Sequence, residues 1–475
     1  MNRVQGAVAA VTALAIAGLG VVATGHEPVA TTPSFASLGS PTMPFVPTGS
    51  FITSSWFCPG VPAGEEGVGG SVHITNPRDE AITGTITAMA DGGAASVAQP
   101  ISVNARSSIV IDLPELQPSA TFVSAVVEIA GGGGFVEQLA EHPSGDSVTA
   151  CSNAASSDWY FADGFTAEGS TVQIVLSNPY PEAAIVDIGF VTADGIRNPS
   201  RLQGYPVPGR SVQLVELGAR DETLIGTNVH ASRGRVVAGR AQRYLGGGRL
   251  GFTMTLGAPS LANQYWFADG ENADGVTEQY SIYNPTEADV DVSAVFLGLA
   301  ATDTFTNDTS INVPAGRVVG FDIKDVANLP AGRHGLVFST FTESSIVVER
   351  VTTRPAGKRV ATSVVMGSPP QLASRRWSAS VSSATAIDDA IVVLNADSID
   401  TTVTVSALGT GGFVPVPGLD AVPLPAGAVL TLPINDPSAV GQAFIVESGQ
   451  SIFVERLLPR GADREGRTGS FALSG

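Results

Sequence analysis

The sequence predicts an all-β protein made of tandem β-sandwich domains that follow an N-terminal hydrophobic segment. Three observations support this. Four landmarks recur in the same order along the chain, at intervals of 102–111 residues. Short runs between them alternate apolar and polar residues, as strands with one buried face do. An apolar stretch runs from Gly6 to Thr24, ahead of the first landmark.

Each landmark occurs four times. The first is an aromatic entry, at Trp56-Phe57-Cys58, Trp159-Tyr160-Phe161, Trp266-Phe267-Ala268 and a reduced Trp377-Ser378. The second is an alternating strand closed by an asparagine: Asn76, Asn178, Asn284 and Asn395. The third is a turn, at Asn104-Ala105-Arg106, Pro208-Gly209-Arg210, Pro314-Ala315-Gly316-Arg317 and Pro425-Ala426-Gly427. The fourth is a late strand, at Val136-Glu137-Gln138, Ala238-Gly239-Arg240, Val348-Glu349-Arg350 and Val454-Glu455-Arg456.

The repeat length matches a small domain and is much longer than a solenoid repeat. Each copy contains about seven short strand patterns and no convincing amphipathic helix, which indicates an immunoglobulin-like β-sandwich. We therefore expect a tandem array of four immunoglobulin-like domains: copy 1 (51–153), copy 2 (154–260), copy 3 (261–371) and copy 4 (372–475). The short joins between copies favour an extended array, and a compact assembly that buries entry tryptophans against a neighbour is the alternative.

The N-terminus predicts export. Arg3 precedes an uncharged, mostly apolar run from Gly6 to Thr24, which is typical of an export signal. Residues 1–25 are therefore expected to be a signal peptide that is cleaved or a signal anchor that remains in the membrane, and the sequence leaves both open. Residues 26–50, rich in proline, threonine and serine, are expected to form a stalk.

Charge restricts the partners. The formal net charge is −19, and an acidic chain gains nothing from the phosphates of nucleic acid or from anionic lipid headgroups. We expect no nucleic-acid partner, membrane contact only through the N-terminal segment, and an envelope protein or wall component as the unknown partner. The expected location is extracytoplasmic, either anchored at the cell surface or secreted.

The two cysteines, Cys58 and Cys151, are the only ones in the chain. An isolated pair in an exported protein predicts a disulfide, here between the opening and closing strands of copy 1. No histidine lies at metal-ligand spacing from either cysteine.

Motifs for catalysis are absent from the sequence, which contains no Gly-x-Ser-x-Gly, His-Glu-x-x-His or phosphate-binding loop. We expect no enzyme, no cofactor and no metal. The acidic turn from Asp269 to Gly275 offers oxygen ligands of the kind that calcium prefers. Its spacing does not match a calcium loop, so a solvated turn is the favoured interpretation.

Three recurring carboxylates in the late strand, Glu137, Glu349 and Glu455, are the other candidate. Neighbouring strand residues point to opposite faces, so one of Glu349 and Arg350 must face inwards. The carboxylates could form a ligand-facing row. The preferred interpretation is a structural polar contact, since copy 2 has Gly239 in place of the glutamate.

From about Trp56 onwards, these landmarks resemble an actinobacterial family of exported repeat proteins catalogued only as a domain of unknown function. Copy 4 departs from the pattern, because it lacks the Ala-Asp-Gly after the entry and the proline after Asn395. The resemblance implies export and taxon, but no activity and no site residues. We therefore expect a non-enzymatic structural or interaction protein of the cell envelope, with a wall carbohydrate- or calcium-dependent binding protein as the alternative.

Overall fold

The computed structural model describes residues 42–47, 52–300, 305–341, 345–461 and 464–475. The predicted signal or anchor at 1–25 lies outside the described residues, as does the predicted stalk apart from residues 42–47. Within the described ranges, no helix has both the length and the apolarity needed to cross a membrane. The all-β fold class is confirmed, since antiparallel sheets run through every described part of the four copies.

Copy 1 consists of two four-stranded antiparallel sheets, with strand orders β1-β6-β3-β4 and β5-β2-β7-β8. The strands are β1 (Thr53–Pro62), β2 (Gly69–Asn76), β3 (Ile82–Ala90), β4 (Val97–Val103), β5 (Ser107–Asp112), β6 (Phe122–Ala130), β7 (Phe135–Glu141) and β8 (Ser147–Ala150). A single helical turn, α1 (Leu113–Leu116), follows β5, and the Asp112 side chain caps it by accepting from the Glu115 amide.

Copy 2 repeats this arrangement with a divided edge strand. Its strands are β9 (Asp158–Phe161), β10 (Thr171–Asn178), β11 (Ala184–Thr192), β12 (Gly195–Arg197), β13 (Tyr205–Val207), β14 (Ser211–Glu216), β15 (Gly226–Arg233), β16 (Val237–Gly246) and β17 (Arg249–Leu256). The sheets are β12-β11-β15-β9, with β13 also on β11, and β14-β10-β16-β17. Short 3₁₀ turns lie at Ala167–Gly169 and Ser200–Leu202.

Copy 3 has the same strand order as copy 1. Its strands are β18 (Gln264–Asn272), β19 (Thr277–Asn284), β20 (Val290–Leu297), β21 (Asp308–Val313), β22 (Arg317–Asp322), β23 (Gly332–Thr340), β24 (Val347–Ala356) and β25 (Arg359–Met366). The sheets are β18-β23-β20-β21 and β22-β19-β24-β25. A 3₁₀ turn at Ile323–Asp325 stands where α1 stands in copy 1, and a second one at Pro370–Leu372 leads into copy 4.

In copy 4 the two sheets are joined. Its strands are β26 (Ser374–Ala379), β27 (Ile387–Asn395), β28 (Thr401–Gly409), β29 (Gly412–Pro415), β30 (Val422–Leu424), β31 (Val429–Ile434), β32 (Phe444–Pro459), β33 (Arg467–Phe471) and β34 (Leu473–Ser474). The 16-residue β32 pairs with β26 and β28 through one part and with β27 and β33 through the other, so it links both faces.

The asparagine landmarks explain how each copy keeps its shape. All four side chains are fully buried. Each Nδ2 donates to the carbonyl four residues later, at 2.8 or 2.9 Å, and to a carbonyl within the turn landmark or of the residue just before it. Each Oδ1 accepts from the amide two residues on. The asparagine side chain thus provides hydrogen-bond partners for backbone carbonyls and an amide in two turns, where the sheet offers none.

The entry aromatics lie in the cores, but the ring that is buried differs between copies. Trp56, Trp159 and Trp377 are buried, whereas in copy 3 Tyr265 takes that place. Trp266 instead stacks on Phe453 of copy 4, with ring centroids 5.0 Å apart. The apolar clusters also continue across copies, since Val175 and Phe252 of copy 2 belong to the core of copy 1.

The four copies contact one another in a closed cycle, which contradicts the expected extended array. Four edge strands, one from each copy, meet pairwise in the order β8, β17, β25 and β33, and β33 in turn contacts β8. Copy 4 also bonds directly to copy 1, where the Asp146 amide donates to the Arg460 carbonyl at 3.0 Å. Short joins restrict neighbouring copies only, so they gave no information on the contact between copies 1 and 4. Residues Ser40–Gly475 form one compact unit, and the predicted boundaries between copies stay predictions.

The described part of the predicted stalk is docked on this assembly. The Phe45 amide donates to the Asn153 side chain at 2.9 Å, and the Val46 amide donates to the Ser474 carbonyl at 2.6 Å. Residues 42–47 therefore lie against copies 1 and 4 instead of projecting from them.

Candidate functional site: the Glu–Arg clamps between copies

The recurring late-strand glutamates are all fully buried, and each one holds the neighbouring copy. Glu349 of copy 3 accepts from the backbone amides of Ala162 and Asp163 at 2.8 and 2.7 Å. Its carboxylate also accepts hydrogen bonds from both terminal nitrogens of Arg240 of copy 2, at 2.7 and 2.8 Å. We call this arrangement of one carboxylate, two amides and one guanidinium a clamp.

Two further clamps have the same design. Glu455 of copy 4 accepts from Ala268 and Asp269 at 2.7 and 3.1 Å, and from Arg350 of copy 3 at 3.1 and 2.6 Å. Glu137 of copy 1 accepts from the amides of Ser380 and Val381 at 2.6 and 3.0 Å and pairs with Arg456 of copy 4. The three clamps thus join copies 2 and 3, 3 and 4, and 4 and 1.

Strand geometry supplies the two amides. In copy 3 the pairing of β18 with β23 shifts register between Phe267 and Gly270, so the amides of Ala268 and Asp269 fall at a bulge. A bulge leaves backbone groups without a ladder partner. In copies 2 and 4 the corresponding strands end at Phe161 and Ala379, just before the two amides. In each clamp the carboxylate therefore accepts from two backbone amides that have no acceptor in the sheet.

The buried arginines remain charged. Burial by itself lowers the pKa of Arg240, but the carboxylates of Glu349 and Asp163 more than compensate and raise that pKa above its ordinary value. The pKa of Arg350 is raised in the same way, against burial, by Glu455 and Asp269. A buried ion pair is tolerated when its geometry is good and it makes further hydrogen bonds. In these two clamps the backbone amides supply the further hydrogen bonds.

The seam between copies 1 and 2 has no clamp. Copy 2 has Gly239 at the glutamate position, and copy 1 has Gln138 at the arginine position. Gln138 bonds within its own copy, to the amide and carbonyl of Gly60 at 2.8 and 2.6 Å. Pro59 stands where the first amide donor would be. A Cβ on Gly239 would lie 2.8 Å from the Pro59 Cβ.

The predicted disulfide lies beside that seam. The Sγ atoms of Cys58 and Cys151 are 2.00 Å apart, so the pairing expected from the sequence is present. In copies 2 and 3 the equivalent of Cys58 is Phe161 or Phe267, whose ring packs against Gly257 or Gly367. The disulfide thus occupies the space of a phenylalanine and a glycine.

The expectation for Asp269 was wrong. Its side chain is buried and pairs with Arg354 at 2.9 Å and with Arg333, so Asp269 is neither solvated nor free to bind calcium. Only residues 273–275 form an exposed turn. Sequence spacing missed this because Arg333 and Arg354 lie more than 60 residues away. Among the described residues, no group of three or more His, Cys, Asp or Glu side chains could hold a metal ion.

The sequence analysis also missed a buried polar cluster in copy 3. Glu278 accepts from the Glu271 amide at 2.7 Å and from the Tyr280 hydroxyl, and it contacts His334 Nε2 at 3.3 Å. Burial acts to raise the pKa of Glu278, but the charge and hydrogen bond of His334 lower it to about 2. None of Glu278, Tyr280 and His334 is exposed, so a substrate in solvent cannot reach them.

Part of the chain matches a known protein family. Residues 136–370 match the family of unknown function DUF5719. The DUF5719 match covers just under half of the chain and includes Glu137, Arg240, Glu349 and Arg350. It confirms the expected resemblance to a family catalogued only as a domain of unknown function, while an actinobacterial origin stays a prediction.

Two other comparisons complete the picture. No curated protein matches the chain. Among solved structures, the crystal structure of Thermotoga maritima 1070 is similar at 11% sequence identity and a TM-score of 0.20, covering 23% of this chain and 94% of that one. A likeness at that TM-score supports no argument about this protein.

Proposed function

We propose that this protein is a non-enzymatic structural or interaction protein of the cell envelope, which presents β-sandwich surfaces in one relative arrangement. The observation that supports it is the set of three clamps. The recurring carboxylates that could have formed a ligand-facing row, Glu137, Glu349 and Glu455, instead hold neighbouring copies together. These carboxylates therefore fix the orientation of neighbouring copies.

The proposed location is outside the cytoplasm. The pairing of Cys58 with Cys151 suits an oxidising compartment, where a disulfide persists. The N-terminal apolar run is the proposed export signal and the only proposed membrane contact. The partner we propose is an envelope protein or a wall component, recognised by surface exposed on several copies at once.

The experiment combines localisation with partner capture in the cells that produce the protein. Protease added outside intact cells should cleave the full chain. Crosslinking at the cell surface should capture a partner that can be recovered with the chain. The Arg456→Met variant opens one clamp and should lose the partner. Its matched control, Arg376→Met, removes an arginine from an exposed pair with Glu447 and should keep it.

Three results would contradict the proposal. They are a chain protected from external protease, two free thiols in the chain taken directly from cells, or equal partner recovery by both arginine variants. Retention of the chain on purified wall glycan, or a calcium-dependent rise in Tm, would instead favour the carbohydrate- or calcium-dependent alternative.

A further inference from the structure

A cavity of about 80 Å³ lies where the last strands of the four copies meet, and residues 43 and 44 line one side of it. We call it the inter-strand cavity. Three methionines line it, Met43, Met254 and Met366, together with Trp377 and Phe471. Methionine side chains adapt their shape to an apolar guest more readily than branched ones do.

A larger groove of about 610 Å³ adjoins this cavity. Its walls include Phe45, Leu261, Tyr265 and Ala373, and we call it the terminal groove because residues 42, 43, 45 and 46 and residues 474–475 border it. Met43 and Leu372 line both spaces, so these two side chains separate them. The groove lies within the range of about 300–1,000 Å³ that is common for small-molecule sites.

Neither space is lined by a charged side chain. The chain has 44 acidic residues and 25 lysines and arginines. The absence of all of them from two adjoining linings therefore distinguishes this region from the rest of the surface. An ionic ligand would find no oppositely charged side chain in either lining, and a buried charge without a partner is costly. The lining therefore selects an uncharged, apolar ligand.

Two hydroxyls give this site a polar end. Thr255 and Ser368 are among the residues that line the inter-strand cavity, and their hydroxyl oxygens are buried without a hydrogen-bond partner in the part of the chain that the structure describes. Buried hydroxyls without a partner are uncommon in proteins. A guest oxygen that reaches either hydroxyl would supply the acceptor that it lacks.

We propose that the terminal groove and the inter-strand cavity together bind a hydrocarbon chain that carries one uncharged acceptor oxygen, as a fatty alcohol or an acyl ester does. The chain lies in the groove, its polar end displaces the Met43 side chain, and its oxygen accepts from Thr255 or Ser368. The inference goes beyond the function proposed above and does not depend on it.

The test is a fluorescence titration of the full-length chain with the neutral apolar probe N-phenyl-1-naphthylamine. We expect saturable binding at one site per chain. 1-Dodecanol should displace the probe at a concentration at least tenfold lower than dodecanoate, because dodecanoate carries a charge. Equal displacement by both would overturn the proposal of an uncharged ligand.

Variants locate the binding. Leu372→Glu places a carboxylate between the two spaces and should weaken probe binding at least tenfold. Ile399→Glu makes the same kind of exchange at an exposed position outside both spaces and should bind as the unaltered chain does. Ala373→Phe fills part of the groove without adding charge and should also weaken binding, so the result does not depend on the fold of one variant.

Folding of each variant is checked by its Tm and by the resistance of Cys58 and Cys151 to thiol labelling. Absence of saturable binding to the unaltered chain would overturn the proposal. So would folded Leu372→Glu and Ala373→Phe variants that bind the probe as tightly as Ile399→Glu does.

Discussion

The clamp between copies 4 and 1 makes a quantitative prediction, because no peptide join links these two copies directly. Arg456→Met keeps much of the length of the side chain but removes the guanidinium that pairs with Glu137. Both side chains are buried, with exposed fractions of 4% and 0%. Removing one partner of a buried pair leaves the other charge uncompensated, which typically costs about 3–5 kcal/mol. We expect the free energy of unfolding to fall by that amount.

The matched control is Arg376→Met. Arg376 pairs with Glu447 at 2.7 Å, as closely as the clamps do, but the two side chains are 45% and 51% exposed. Exposed pairs contribute about 0–1 kcal/mol. A difference between the two variants therefore measures the effect of burial on the same substitution. Urea unfolding followed by tryptophan fluorescence supplies the free energies.

A double variant separates the charge from the contacts. Glu137→Gln with Arg456→Met leaves no charge in this clamp, and the glutamine oxygen can still accept from the amides of Ser380 and Val381. We expect the double variant to recover more than half of the loss. Hydrogen exchange at those two amides should rise strongly in the single variant and less in the double one.

The reasoning is refuted if Arg456→Met and Arg376→Met destabilise the protein equally. It is also refuted if Arg456→Met leaves hydrogen exchange at Ser380 and Val381 unchanged, since those amides would then be protected by something other than Glu137.

Three more predictions concern copy 1 and its seam with copy 2. Cys58→Ala with Cys151→Ala should lower the free energy of unfolding by about 4–5 kcal/mol, because the disulfide closes a loop with a sequence separation of 93. A loss below about 1 kcal/mol in urea unfolding would count against this. Burial, helped by the charge of Arg456, lowers the pKa of His73 from 6.5 to about 4. The unfolded chain therefore binds the extra proton first, and stability should fall by about 3 kcal/mol as pH drops from about 6.5 to 4. His73→Gln should flatten that slope, and an unchanged slope in a pH series of urea titrations would be inconsistent with it. Gly239→Ala should cost about 1–3 kcal/mol through overpacking against copy 1, whereas the strand control Gly409→Ala, whose Cβ has no neighbour closer than 3.8 Å, should change Tm little.

The strand content and the repeat could be predicted from sequence because both depend on local pattern. Alternation predicted strands. Which aromatic ring of the entry faces the core depends on packing, since Tyr265 is buried in copy 3 and Trp266 stacks on Phe453. The asparagine landmark marked a turn in the sequence, but its bonds to a second turn about 30 residues on depend on tertiary packing.

The clamps could be predicted only in part. Alternation required Glu349 and Arg350 to point to opposite faces, and a structural polar contact was the preferred interpretation. That a glutamate of one copy meets an arginine of another, 105 to 319 residues away in sequence, follows from the packing of whole sandwiches. No local pattern contains that information, and the expected extended array excluded it.

The seam between copies 1 and 2 shows that the clamp is a unit whose parts depend on each other. Once Gly239 removes the carboxylate, an arginine in place of Gln138 would be a buried charge without a partner, and a free amide in place of Pro59 would be an unsatisfied donor. Each of these would cost stability. All three positions differ from those of the clamps, and the Cβ of Pro59 occupies the space that the missing side chain leaves. This seam joins two copies that are already linked by a short join and flanked by the Cys58–Cys151 disulfide. The clamp between copies 4 and 1, which have no such link, is the one whose loss should most affect the closed cycle.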